Sequence, residues 1–385
     1  MRITVVMGFF LPVPALAGGA TEKIWGRMAQ EFAAAGHDVT VVSRSWPGLP
    51  DRERNGRRTH LRVPGMDHTR SLVRNLWRDF LWSRRVTPLL PPGDVVVCNT
   101  VNLPIRLKEK RPDAGRVVVV LGRMPKGQVR VYGQVDLILA TSGAVAAKAL
   151  RENPALAAKI ALFTQPIDWQ LHARGANASA SSAPVTLGYV GRIHPEKGLE
   201  TLLEACVRLR RNHPALPQWT LSLVGPVAVD QGGGGPQYLR SLQNRYGSAL
   251  GDALQVRPPC FDVDALARIY GSLRVFCYPS LAARGEGLSI APLEAMAAGA
   301  VPVLSQLECY RDFLEPDVNG FQFDHTRPDA AGPLADILRR LIEDTEMRTR
   351  MSARAQSSAR NYDYGTTVPD LLAQFARLTA SIPKN

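Results

Sequence analysis

Glu286-Gly287-Leu288-Ser289-Ile290-Ala291-Pro292-Leu293-Glu294 is preceded by Gly285 and followed by Ala295-Met296-Ala297-Ala298-Gly299. Upstream, Val275-Phe276-Cys277-Tyr278-Pro279-Ser280 reads as a short buried strand ended by proline, and a helical pattern begins at about Ala291. The first carboxylate therefore lies in the loop leaving a strand and the second inside the next helix. In an open α/β sheet, ligands collect at the carboxyl ends of strands, where helix N-termini offer unpaired backbone N–H groups to phosphate. Two acids at such a junction suit a polyhydroxyl ligand, because carboxylates accept strong directional hydrogen bonds from hydroxyls. On the pair alone, one loop acid and one helix-surface acid without a ligand is an equally open reading.

A second junction changes the balance. The strand Val185 to Val190 runs into Gly191-Arg192-Ile193-His194-Pro195-Glu196-Lys197-Gly198, followed by a helix with Leu199, Leu202, Leu203 and Cys206 on its apolar side. Glycines flanking two fixed cations at a strand-to-helix turn are suited to a diphosphate. The N-terminus supplies a related unit. The strand Ile3 to Phe10, the glycine turn Gly18-Gly19-Ala20, a helix carrying Ile24, Met28 and Phe32, and the strand from Val39 form β-α-β. Gly18 and Gly19 permit close backbone approach of a ligand, although a lone Gly-Gly is also ordinary turn chemistry.

Length agrees with repetition of this pattern. A chain of 385 residues exceeds one growing core and suits two domains. Val95 to Cys98 and Val117 to Leu121 are continuous apolar runs, as parallel strands covered on both faces require. The Ala/Ser-rich stretch at 175–182 is the natural linker. Hydrophobic content of 45% excludes a mainly disordered chain. Five scattered cysteines have no metal spacing and read as reduced core residues of a cytoplasmic protein.

The net charge of +13 is uneven. Residues 1–170 hold 25 Lys and Arg against 13 Asp and Glu, whereas residues 171–385 hold 22 against 21. That basic half would suit an anionic membrane surface, an anionic acceptor or nucleic acid, but no nucleic-acid module is recognisable. In the helix expected from about Ser71 to Arg85, Arg70, Arg74 and Arg78 recur beside Val73, Leu76, Trp77, Phe80 and Leu81. Two readings stand: an interfacial helix at a membrane, or a domain helix burying its apolar face with arginines snorkelling outward. Arg2, an apolar run and Ala15-Leu16-Ala17 imitate a secretory signal, yet Pro12 and Pro14 interrupt it, so a first buried strand is expected. No stretch of 18 apolar residues exists to span a bilayer.

The two glutamates with seven residues between them, with Tyr278-Pro279-Ser280 before and Ala295-Met296-Ala297-Ala298-Gly299 after, resemble the donor site of family 4 retaining glycosyltransferases, the glycosyl transferases group 1. Gly191-Arg192 with Lys197-Gly198, and the glycine turn leading to Gly36-His37-Asp38-Val39, are similar to the same family, so that the resemblance covers nearly the whole chain. It implies an α/β GT-B fold of two facing Rossmann-like domains with an interdomain cleft: an acceptor-side domain at 1–175, a donor domain at 176–362, and a terminal helix at 363–385 crossing back. It implies Arg192, Lys197 and Glu286 as catalytic residues. Gly18, Gly19, Arg192, Lys197, Gly287, Leu288, Ser289 and Glu294 would bind the donor, with Glu294 on the ribose and Glu286 on the sugar. The donor would be a UDP- or GDP-sugar used without a metal or other cofactor. The acceptor would be a glycan, glycolipid or other small acceptor, with bacterial cell-surface polysaccharide synthesis as the setting, reached in the cytoplasm or at the inner membrane face. A nucleotide-sugar epimerase or a non-catalytic binder on the same scaffold is the alternative. Where the family places a histidine after the second apolar strand, this chain has Gly122-Arg123-Met124-Pro125-Lys126-Gly127. Of the family's Asn-Gly-Val-Asp turn only Asp168 remains, read as structural.

Overall fold

The computed structural model describes residues 1–69, 71–175, 184–283 and 285–380. Arg70 of the expected basic helix and residues 176–182 of the expected linker lie outside the described residues. The chain divides into two compact units, Met1–Pro166 with Tyr364–Asn385, and Ile167–Asp363.

The first unit runs β1 (Arg2–Val6), α1 (Ala20–Ala34), β2 (Asp38–Arg44), β3 (Arg52–Asn55), β4 (Arg58–Val63), α2 (Leu72–Val86), β5 (Val95–Cys98), α3 (Leu103–Lys110), β6 (Arg116–Leu121), β7 (Leu137–Ala140), α4 (Gly143–Glu152) and β8 (Ile160–Leu162). The second runs α5 (Trp169–Gly175), β9 (Val185–Val190), α6 (Leu199–Asn212), β10 (Trp219–Val224), α7 (Pro236–Leu250), β11 (Leu254–Arg257), α8 (Val263–Gly271), β12 (Val275–Tyr278), α9 (Ile290–Ala297), β13 (Val301–Ser305), β14 (Phe321–Phe323), α10 (Ala331–Glu343) and α11 (Thr345–Ala359). The last helix, α12 (Tyr364–Ala380), returns to the first unit and packs on α1. Phe375 meets Phe32 edge-on, with ring centroids 6.1 Å apart.

The first sheet has the order β3-β4-β2-β1-β5-β6-β7-β8 and is parallel except for the β3–β4 hairpin. Each central strand is buried along its length, with β5 and most of β6 entirely inside. That explains their unbroken Val runs, since both faces meet helices. The second sheet, β11-β10-β9-β12-β13-β14, is wholly parallel. Its order reverses between β9 and β12, the doubly wound pattern in which diverging loops leave a crevice beyond the strand ends. Those are the strands whose exits carry Arg192, Lys197 and Glu286.

Asp262 caps α8, accepting from the Ala265 N–H at 2.7 Å. Asp168 caps α5 through the Leu171 N–H at 3.0 Å. Cys98, Cys206, Cys277 and Cys309 are buried free thiols. The glycine-rich turn at 230–236 is tied down, with Gly234 N–H bonded to the Ile193 carbonyl and Gly235 N–H to that of Val227, both at 2.8 Å. The snorkelling reading of α2 fails. Its inner face is Asp79, Trp82, Ser83 and Val86, while Val73 is 76% and Trp77 60% exposed, with Leu76, Phe80 and Leu81 also outside. Trp82 anchors the helix, donating its indole N–H to the Met7 carbonyl at 3.0 Å. Truncating such a buried tryptophan costs about 3–5 kcal/mol.

Candidate active site

Gly198 fixes the site's geometry. It stands at φ +65°, and a side chain there would run into the Pro279 carbonyl. Only glycine takes that backbone conformation without strain while admitting so close a neighbour. The exits of β9 and β12 are thereby pressed together, and Leu281 N–H reaches the Glu196 carbonyl at 2.8 Å. Between them Pro195–Lys197 forms a single 3-10 turn capped by His194, whose Nδ1 accepts from the Glu196 N–H at 3.2 Å.

This turn sends Lys197 inward. It is only 5% exposed and forms an ion pair with Glu286. The Glu286 carboxylate also accepts hydrogen bonds from Ser280 Oγ at 3.0 Å and Ser289 Oγ at 2.6 Å. Nζ of Lys197 stands 5.1 Å from the centre of the Tyr278 ring, which stacks on Tyr189. Burial alone would lower the lysine and raise the acid. Instead, Tyr278 and Glu286 hold Lys197 above its ordinary range, and against its own burial Lys197 with the two serines draws Glu286 below 4.5. Both are charged at neutral pH. Ser289 is the N-cap of α9 yet makes no side-chain cap bond, because its hydroxyl serves Glu286. The first amides of α9 are thus not closed by their own cap.

Arg192 lies next to this pair in the chain's turn. Its guanidinium donates to the Gly232 carbonyl at 2.9 Å and pairs with Glu196, and its own carbonyl accepts from Tyr189 Oη at 2.8 Å. Burial works to raise Glu196, but Arg192, Lys197 and His194 pull it below its ordinary value. Two cations, each matched by a carboxylate, therefore line the reversal point of the second sheet. A diphosphate arriving there would exchange partners with those carboxylates rather than meet bare charge.

Gly287, Leu288 and Ser289 are buried in the turn entering α9. Glu294 meets a different set of neighbours from Glu286. It is 3% exposed, with Oε1 3.6 Å from His172 Nε2 and a hydrogen bond from Tyr270. Gly18 and Gly19 belong to the first unit, at φ +82° and +100° before α1. In place of the family's histidine, Arg123 and Lys126 are exposed, and the loop is held by the Gly127 N–H on Glu152 Oε1 at 2.8 Å. Sequence reading missed Ser280, Glu196 and His172. The first two lie inside the quoted stretches, but which hydroxyl and which carboxylate turn inward depends on the two loops meeting. For His172 no local signal existed. Among the described residues no group of three or more His, Cys, Asp or Glu is placed to hold a metal ion.

Residues 176–358 match the family model of glycosyl transferases group 1. Phosphatidyl-myo-inositol mannosyltransferase of Mycobacterium tuberculosis (strain H37Rv) is 26% identical, over 99% of this chain and 98% of its own. D-inositol 3-phosphate glycosyltransferase of Jonesia denitrificans is 26% identical over 59% of this chain, a match spanning 51% of that relative's length. Among solved structures, sucrose-phosphate synthase from Thermosynechococcus elongatus superposes with a TM-score of 0.81 at 18% identity, covering 99% of this chain and 100% of the other. A UDP-forming trehalose-phosphate synthase from Burkholderia xenovorans gives 0.74 at 15% identity, covering 99% of each. The chain is thus related to the glycosyl transferases group 1 through residues 176–358, and its two Rossmann-like units share the GT-B fold of these solved structures.

Proposed function

We propose that the chain moves a sugar from a UDP- or GDP-sugar to a polyhydroxyl acceptor with retention at the anomeric carbon. The observation that carries this reading is the paired-charge cluster of Arg192, Glu196, Lys197 and Glu286 at the reversal point of the second sheet. Arg192 and Lys197 hold the diphosphate and stabilise charge growing on it as the anomeric C–O bond breaks, a role a metal ion would otherwise fill. Glu286 takes hydrogen bonds from the donor sugar, aided by backbone at Gly287 and Leu288 and by the Ser289 hydroxyl. Glu294 takes the ribose, which requires its carboxylate to turn from Tyr270. The acceptor oxygen attacks the anomeric carbon on the face the diphosphate leaves. The bonding pair goes to the leaving phosphate oxygen, which receives the acceptor's proton. Gly18 and Gly19 supply backbone approach in the first unit. Release of nucleotide from the donor that depends on added acceptor tests this, with the product anomer read by NMR. Acceptor-independent epimerisation, or binding without turnover, would replace it by the epimerase or binder reading.

The acceptor we infer is a phosphate-bearing polyol, on two grounds. The relatives named above act, by their names, on inositol phosphate and phosphatidyl-myo-inositol. The first unit also carries most of the net charge. The lipid-linked form, met at the cytoplasmic membrane face, is supported by α2. Its exposed Trp77 and Phe80 stack with centroids 5.5 Å apart, and Arg74, Arg78, Arg84 and Arg85 lie along the same helix. No described helix is long and apolar enough to cross a membrane, so contact would be interfacial. Trp77→Ser with Phe80→Ser should weaken binding to vesicles containing anionic lipid by roughly tenfold or more. Nucleotide affinity should not change. Wild-type protein that sediments with no anionic vesicle would contradict this part.

A further inference from the structure

Glu22 is a charged residue type where charge is expensive. It sits in the first turn of α1, only 4% exposed, among the buried face of Ile24, Trp25, Met28, Ala29 and Phe32. Its carboxyl folds back over the Gly18-Gly19 turn, so closely that a side chain on Gly19 would collide with Oε2 and with Leu11. Gly19 also stands at φ +100°, so that the turn admits glycine on both counts. Among the described residues no ion pair or neighbouring charge supports Glu22; its own backbone N–H is the one group that favours the charged form. Burial consequently lifts the acid to about 7.

A capping role accounts for the direction of the side chain, since an acid at the third helical position commonly reaches back to the helix start. It does not account for the burial. A solvent-facing glutamate caps as well and keeps its charge without desolvation. The turn follows β1 in the first sheet, at the carboxyl end of the strand next to which the order reverses between β1 and β5. Ligands of open α/β sheets bind at that end. A lone buried carboxyl is destabilising, and groups kept at a cost to stability concentrate in sites.

We infer that the Glu22 carboxyl is a hydroxyl-binding group of an acceptor site at the carboxyl end of the first sheet, taking a hydrogen bond from a hydroxyl of a polyol or sugar. This rests on the transferase reading and extends it to a residue on the first unit. The polyol would meet the carboxyl where it lies against the Gly18-Gly19 turn.

Two measurements on the full chain test it. In the first, wild type and Glu22→Gln are unfolded thermally between pH 5 and 8. The native state holds its proton to a higher pH than the unfolded chain, so Glu22 lowers wild-type stability progressively as pH rises from about 4.5 to 7. Glu22→Gln should therefore melt close to wild type at pH 5 and about 7 °C or more above it at pH 8. A variant equal to or below wild type at pH 8 would show a cap and overturn the inference. In the second, carboxyls are coupled to glycine ethyl ester with a carbodiimide at pH 6 and mapped by mass spectrometry, with and without myo-inositol 1-phosphate or glucose at high concentration. Glu22 should be modified, and at least one of the two probes should slow its modification several-fold while exposed acids react unchanged. No modification, or modification that neither probe slows, would overturn it. Nucleotide binding is followed in parallel; its failure would sink the transferase reading while leaving the labelling result to stand on its own.

Discussion

Lys197→Ala should weaken nucleotide-diphosphate binding by about 100-fold or more, the scale on which one positioned donor to developing phosphate charge is felt. The substitution acts twice. It removes a cation that is 5% exposed, and it strands the Glu286 carboxylate, whose remaining partners are the hydroxyls of Ser280 and Ser289. Breaking a buried pair from one side costs about 3–5 kcal/mol, and the two serines place this case toward the lower end. The pH dependence has a definite sign. In the wild type Glu286 lies below its ordinary value, so the pair's contribution is present at neutral pH and is lost as pH falls through that depressed value. Without Lys197, burial dominates and lifts Glu286. The variant's stability should then fall as pH rises above the ordinary carboxylate range, so that its deficit is larger at pH 8 than at pH 5. Lys197→Met retains the stem against Tyr278 and guards against loss of folding. Titration calorimetry and thermal melts give both quantities. Donor affinity unchanged in either variant would remove Lys197 from the diphosphate site.

Glu286→Gln should separate sugar from nucleotide. The amide keeps the shape and can still meet Ser280 and Ser289, but it no longer neutralises Lys197. Affinity for the bare nucleoside diphosphate should hold or rise, because the lysine then has no carboxylate to leave. Turnover of the nucleotide sugar should fall by about 100-fold, the loss expected for a group whose contacts strengthen only in the transition state. Equal weakening of both ligands would instead make Glu286 a positioning residue for Lys197.

The sequence was informative where local chemistry decides the outcome. Val117 to Leu121 and Val185 to Val190 could be read as buried strands because a parallel sheet demands side chains that are apolar on both faces. The Arg192–Lys197 and Glu286–Glu294 stretches were legible because strand, turn and helix follow one another within a few residues. What escaped depends on approach of distant segments. His172 lies 122 positions before Glu294 and meets it only because α5 packs on α9. Trp82 and Trp77 are the same residue type one helical turn and a little more apart, yet one is fully buried and the other exposed. Periodicity marks an apolar stripe, and α2 has enough apolar residues all round that it does not choose which side faces the sheet. Glu22 was unreadable for a related reason. An acid in a helix's first turn is normally a surface cap, and only the fold of the glycine turn over it withdraws it from water.

The charges at the exits of β9 and β12 should form a nucleotide-diphosphate site that works without a metal. Calorimetric titration of the full chain with UDP, GDP and their hexose conjugates, in the presence of EDTA, tests it most directly. At least one nucleotide should bind with one-to-one stoichiometry in the micromolar to millimolar range, and Lys197→Ala should weaken that binding by about 100-fold or more. Absence of binding by every member of the panel, or binding that appears only when a divalent cation is restored, would contradict it.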